Sequence, residues 1–126
     1  MSDSPSPDPT KPELAILKLL WREPHLTARA IHSEIGQKFD WSYSTVRTVL
    51  ERMSEKGLIF KNTDGAANTY SASVGKIALL GRIISDFSAR VMELDAPPTA
   101  AFFADSKLLD DDEIAELEAV LREADK

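Results

Sequence analysis

The sequence contains no cysteine, which rules out disulfides, iron–sulfur clusters and thiolate zinc sites and suits a reducing compartment. Histidine is nearly as scarce. His25 and His32 are the two copies, and they do not stand at ligand spacing. A metal site needs several convergent ligands, so both read as structural side chains, and no metal or other cofactor is expected. No apolar run approaches the ~18 residues of a membrane span, and the N-terminus lacks a basic–apolar signal pattern. The expectation is a cytoplasmic protein without direct membrane insertion. A glycine-rich phosphate loop and a nucleophilic serine motif are also missing. Catalysis needs convergent acid, base or nucleophile groups, so no catalytic residue is assigned and an enzyme is not expected.

What is present describes a small globular chain: 126 residues, 43% hydrophobic and 29% charged. That length holds one domain, or one small domain with an interaction element. A domain of some 60 residues buries a marginal core, so oligomerisation is a natural supplement. The net charge of −6 is unevenly spread. Residues 1–10 hold two acids and no base. Residues 11–61 hold nine bases against six acids, whereas residues 62–126 hold six bases against thirteen acids. A basic segment on an acidic chain points to the part that meets nucleic acid.

The pattern predicts a mainly α protein: a winged helix-turn-helix, with three helices and a β-hairpin wing, followed by a C-terminal helical dimerisation region. Residues 1–11, rich in Ser, Pro and Asp, read as a disordered arm. Residues 12–73 form the winged helix. Its first helix starts near Glu13 after Pro12, carries the stripe Leu14, Leu17, Leu20 and Trp21, and ends at Pro24. The second starts at an N-cap, Thr27, with Leu26 and Ile31 as a hydrophobic staple; Ile35 continues its buried face and Gly36 is the expected stop. The third repeats this grammar, with Ser42 as N-cap and Trp41 and Val46 as the staple. Val46, Val49, Leu50 and Met53 define its core face, and Lys56-Gly57 ends it with Leu58 packing back. Two β-like runs, 58–61 and 68–72, flank an Asp64-Gly65 turn signal and make the wing.

Residues 74–126 read as the dimerisation region. A helix opening at Ser73 and reaching about Leu94 places Ile77, Leu80, Ile84, Phe87, Val91 and Leu94 at alternating steps of three and four. That 3.5-residue period belongs to a helix–helix seam with a second copy, the alternative being packing within one chain on the winged helix. A last helix starts at Asp110, boxed with Glu113 and favoured by Asp111 and Asp112. Ile114, Leu117 and Leu121 give it an apolar stripe of its own.

Once the core face of the third helix is fixed, Ser44, Thr45, Arg47, Thr48, Glu51 and Arg52 must lie on the other side. A major groove accepts a helix, whose N-terminal residues reach base edges. Ser42 and Tyr43 open the helix, and the hydroxyls of Ser44, Thr45 and Thr48 suit phosphates or bases. Arg47 suits a bidentate contact to guanine. Arg52, and Lys61 with Asn62 or Asn68 in the wing, suit the backbone. The predicted function is sequence-specific binding of double-stranded DNA. The alternative is a winged helix used for protein–protein contact without DNA.

Residues 40–59, DWSYSTVRTVLERMSEKGLI, resemble the recognition-helix signature of the BlaI/MecI/CopY family of penicillinase-repressor-type regulators. Residues 13–21, ELAILKLLW, are similar to the family's first helix and Tyr70 to its wing. The resemblance extends from about residue 12 to the C-terminus. It implies a homodimeric repressor on an inverted-repeat operator of TACA/TGTA type, dimerised by its C-terminal helices. One branch of the family is inactivated by C-terminal cleavage under a membrane metalloprotease sensor. The position similar to that bond is Phe102–Phe103, with Phe here where the best-known members have Asn. The same aromatics also suit a dimer core. The cysteine cluster of the copper-responsive branch is missing, which excludes copper sensing through that site.

Overall fold

The computed structural model describes residues 8–124; the expected N-terminal arm lies outside them as far as residue 7. Helix α1 (Lys11–Arg22) begins slightly ahead of Glu13 because Thr10 supplies the cap. The Glu13 amide donates to Thr10 Oγ1 at 3.4 Å and the Thr10 amide donates to Glu13 Oε1 at 2.9 Å, so two orphan donors are satisfied reciprocally. Ile16, Leu17, Leu19 and Leu20 form its buried face. Leu14 and Trp21 are only half-buried, and the Trp21 indole donates to Val74 O at 3.0 Å.

A two-residue strand, β1 (Leu26–Thr27), leads into helix α2 over residues 28–39. Thr27 is its N-cap and accepts the Ala30 amide at 3.1 Å. Gly36 does not stop this helix. The chain widens into a π turn over His32–Gly36 and continues to Phe39. Asp40 ends it in the left-handed region at φ 55°, which Asp tolerates better than most residues. Gly36 is needed for close approach instead. A Cβ there would stand 2.5 Å from His32 Cδ2 and 3.1 Å from Trp41 O. The turn closes over it: the Trp41 amide donates to Gly36 O at 2.8 Å, and His32 Nε2 lies 3.1 Å from Trp41 O.

Helix α3 (Tyr43–Glu55) starts at Ser42, whose hydroxyl accepts the Thr45 amide at 3.1 Å. Val46, Leu50 and Met53 are fully buried and Val49 half-buried. Its end is a Schellman motif: Gly57 sits at φ 81°, the Leu58 amide donates to Met53 O and the Gly57 amide to Ser54 O. Strands β2 (Ile59–Asn62) and β3 (Thr69–Ala72) follow. The sheet order is β1-β3-β2, antiparallel throughout, with Leu26 opposite Tyr70 and Ile59 opposite Ala72. Asp64-Gly65 lies in an open loop rather than a tight turn, and the Asp64 amide donates to Asn62 Oδ1.

Contacts divide the chain into two compact units between Val74 and Gly75. Ser73 belongs to the first: its amide donates to Leu58 O and its hydroxyl to Gly57 O. For that reason the long helix does not open there. Helix α4 (Lys76–Asp86) starts after Gly75, passes into a π turn over Phe87–Val91, and ends where Glu93 adopts φ 55°. Leu94 is therefore past the helix. A 3-10 turn (Ala100–Phe103) and helix α5 (Asp111–Ala124) complete the second unit. Asp110 and Glu113 form the reciprocal box at 2.8 and 3.0 Å.

The core of this unit is Ile77, Ala100, Leu117 and Leu121, with Ile84, Phe103, Ile114 and Val120 packed against it. Burying each of these leucines contributes about 1.5–3 kcal/mol. Gly81 lets α4 and α5 approach: a Cβ there would be 2.4 Å from Val120 Cγ1. The apolar repeat is thus divided. Ile77 and Ile84 pack inside the unit and Leu80 is half-buried, whereas Phe87, Val91 and Leu94 are 51%, 54% and 48% exposed.

Candidate nucleic-acid interface

Helix α3 presents a polar face because its apolar residues are all committed to one side. Ser44, Thr45, Arg47, Thr48, Glu51 and Arg52 are exposed, and its first two turns, residues 43–50, carry no acid. Local bonds already shape this face. The Thr48 hydroxyl donates to Ser44 O at 3.1 Å, and Ser42 Oγ lies 3.1 Å from Thr45 Oγ1. Ser42 is thus occupied as the cap, while Thr48 keeps its methyl and its oxygen lone pairs for an incoming group.

Two clefts meet at Arg47. The first, of about 400 Å³, brings Tyr43 and Arg47 together with Asn68 of the wing. The second, of about 440 Å³, holds Tyr43, Ser44, Arg47, Thr48 and Glu51. Tyr70 of β3 borders both. Burial pushes the Tyr70 hydroxyl above its ordinary pKa, with Glu51 adding to the shift and Arg47 opposing it. It stays protonated at neutral pH and can donate.

Ser42, Thr45, Arg52 and Lys61 lie outside both clefts. Lys61 turns toward α3, where its Nζ is 3.9 Å from Glu51 Oε2. One residue escaped the sequence reading. Arg29, in the first turn of α2, lines the first cleft with its guanidinium carbon 4.7 Å from the centroid of the Tyr43 ring. No spacing in the sequence signals it, because the ring it stacks on stands on another helix.

Among the described residues no cluster of three or more His, Asp or Glu side chains could hold a metal ion. No described helix is long and apolar enough to cross a membrane.

A profile of the penicillinase repressor family matches residues 9–123. The chain belongs to that family. Penicillinase repressors are transcription regulators and not enzymes. The methicillin resistance regulatory protein MecI of Staphylococcus aureus (strain N315) is 27% identical over 109 residues, covering 86% of this chain and 89% of MecI. The transcriptional regulator BlaI of Mycobacterium tuberculosis (strain H37Rv) is 32% identical over 79 residues, covering 62% of this chain and 57% of BlaI. As a penicillinase repressor the chain has its winged helix-turn-helix in the first unit and a helical region in the second.

Proposed function

We propose that this repressor works in the cytoplasm as a homodimer, setting two copies of α3 into the half-sites of an inverted-repeat operator. The observation that carries this reading is the face of α3: exposed, rich in hydroxyls, centred on Arg47, and free of acids for two turns. Ser44, Thr45, Arg47 and Thr48 read base edges. Arg52, Lys61 and Asn68 hold the backbone, with Ser42 and Tyr43 fixing the start of the helix. Dimerisation has its support in Phe87, Val91 and Leu94, which are too apolar to be left facing water together.

The test is binding to duplexes selected by the protein from a random pool. Arg47→Ala should weaken the selected duplex by about 1–3 kcal/mol relative to an unselected one, with the circular-dichroism melt unchanged. Affinity should also fall steeply with salt through counterion release. A protein that enriches no duplex, or binds with a flat salt dependence, refutes the reading.

Relief of repression is assigned to cleavage between Phe102 and Phe103 by a membrane metalloprotease sensor. Phe102 is 77% exposed. A cut there would separate α4 from α5, which supplies Leu117 and Leu121 to the core. Target genes induced by a β-lactam while the protein stays uncut would refute this step.

A further inference from the structure

We propose that Arg29, together with Asn68 of the wing, binds one backbone phosphate of DNA in the cleft beside Arg47, with Arg29 held ready by the Tyr43 ring. The site rests on the DNA-binding reading above and adds to it a contact from outside α3 and the wing.

The two clefts at Arg47 differ in charge. The second contains Glu51, whose carboxylate repels an anion and suits a base donor such as the cytosine amino group. The first has two arginines and no acid. Its remaining polar side chains, Thr27, Asn68, Tyr43 and Tyr70, are neutral, and a volume of about 400 Å³ leaves room for a phosphodiester with bridging water. Such a lining selects an anion.

The position of Arg29 also favours phosphate over base. It stands on α2, and in a helix-turn-helix the first helix crosses the backbone while the second enters the groove. Stacking on Tyr43 at 4.7 Å restrains a long side chain that would otherwise move freely. Less entropy is then lost when the planar guanidinium takes a phosphate through two parallel bonds. Tyr43 is itself fixed from the other side, its ring meeting His32 edge-on at 6.0 Å. His32 in turn bonds across the turn to Trp41 O. The bonds that close the helix-turn-helix thereby also set the angle of Arg29.

The experiment measures binding of the full chain to a duplex it has selected and to an unselected duplex, each across a series of salt concentrations. Arg29→Ala should weaken both duplexes equally, by about tenfold, and reduce the slope of log K against log salt by about one. Arg29→Lys, which keeps the charge, should restore the slope. Tyr43→Leu, which removes the ring that restrains Arg29, should show part of the Arg29→Ala loss of slope. An unchanged slope in Arg29→Ala overturns the site, and so does a loss confined to the selected duplex, which would make Arg29 a base reader. If the unaltered protein binds neither duplex, the DNA reading itself falls and the site falls with it.

Discussion

Replacing Glu13 separates an ion pair from a helix cap. The residue is 6% exposed, and its carboxylate accepts Lys56 Nζ at 2.8 Å on both oxygens and takes the Thr10 amide at 2.9 Å. The pair ties the first turn of α1 to the C-cap of α3, so it helps to hold the recognition helix in place. Glutamine closes a capping box as well as glutamate does, so Glu13→Gln removes the charge alone, whereas Glu13→Ala removes charge and cap. Breaking a fully buried pair costs about 3–5 kcal/mol. Here the Lys56 side chain is 30% exposed, so water recovers part of its solvation. The expected cost of Glu13→Gln is about 1–2 kcal/mol, with about 1 kcal/mol more for Glu13→Ala.

In a thermal melt, Glu13→Gln should lower the midpoint by at least about 4 °C. A double-mutant cycle with Lys56→Met should return a coupling of at least about 0.5 kcal/mol. The pH dependence supplies a further check. Burial raises the pKa of Glu13, but the bonds from Lys56 and the Thr10 amide outweigh it and hold the carboxyl below its ordinary 4.5. A lowered folded pKa means the stabilisation is complete above the unfolded value and is lost as pH falls through the folded one. The gap between wild type and Glu13→Gln should therefore be constant above about pH 6 and shrink below about pH 4.5. Strictly additive single variants, or a gap that widens in acid, would refute the assignment.

Gly36→Ala should cost about 1–3 kcal/mol and weaken operator binding beyond that loss of stability, since the new Cβ must displace the His32 ring and strain the turn that aims α3; a melt matching wild type would refute this. Phe87→Glu with Val91→Glu should give a folded monomer by sedimentation and abolish binding to an inverted repeat, because both side chains are more than half exposed. Leu117→Glu, at a position with no exposure, should instead unfold the second unit, and the contrast separates interface from core.

Three helix starts were legible in the sequence because a cap is chemistry among near neighbours, whereas Ser73 did not open the long helix. Thr27, Ser42 and Asp110 accept the amides expected of them. The end at Gly57 was legible for the same reason. The end of α2 was not. Gly36 and Asp40 can each end a helix, and the choice fell to a contact with the His32 ring that no local propensity contains. Strand β1 is two residues long, too short for alternation to show, and it exists because β3 offers it an edge. On the α3 face the polar residues were legible by elimination, since the apolar positions fix the rest. Arg29 was not, because its partner is the Tyr43 ring on another helix, and periodicity describes only one helix at a time.

The repeat in α4 shows where that limit lies. A 3.5-residue period says that an apolar stripe faces another helix, but it carries no information about whose helix that is. The structure divides the stripe. Ile77 and Ile84 meet α5 of their own unit, beside Leu117 and Leu121. Beyond Ile84 the helix widens into a π turn and Phe87, Val91 and Leu94 are left exposed. One continuous stripe could be satisfied by one partner, but a stripe half-used inside the unit cannot donate the same residues to a second copy without opening its own core. The surface left for the proposed dimer is therefore the C-terminal half of the repeat, joined by Met92, which is 54% exposed. A cut at Phe102–Phe103 would fall after Ala100 of the unit's core and before the helix that supplies Leu117 and Leu121 to it.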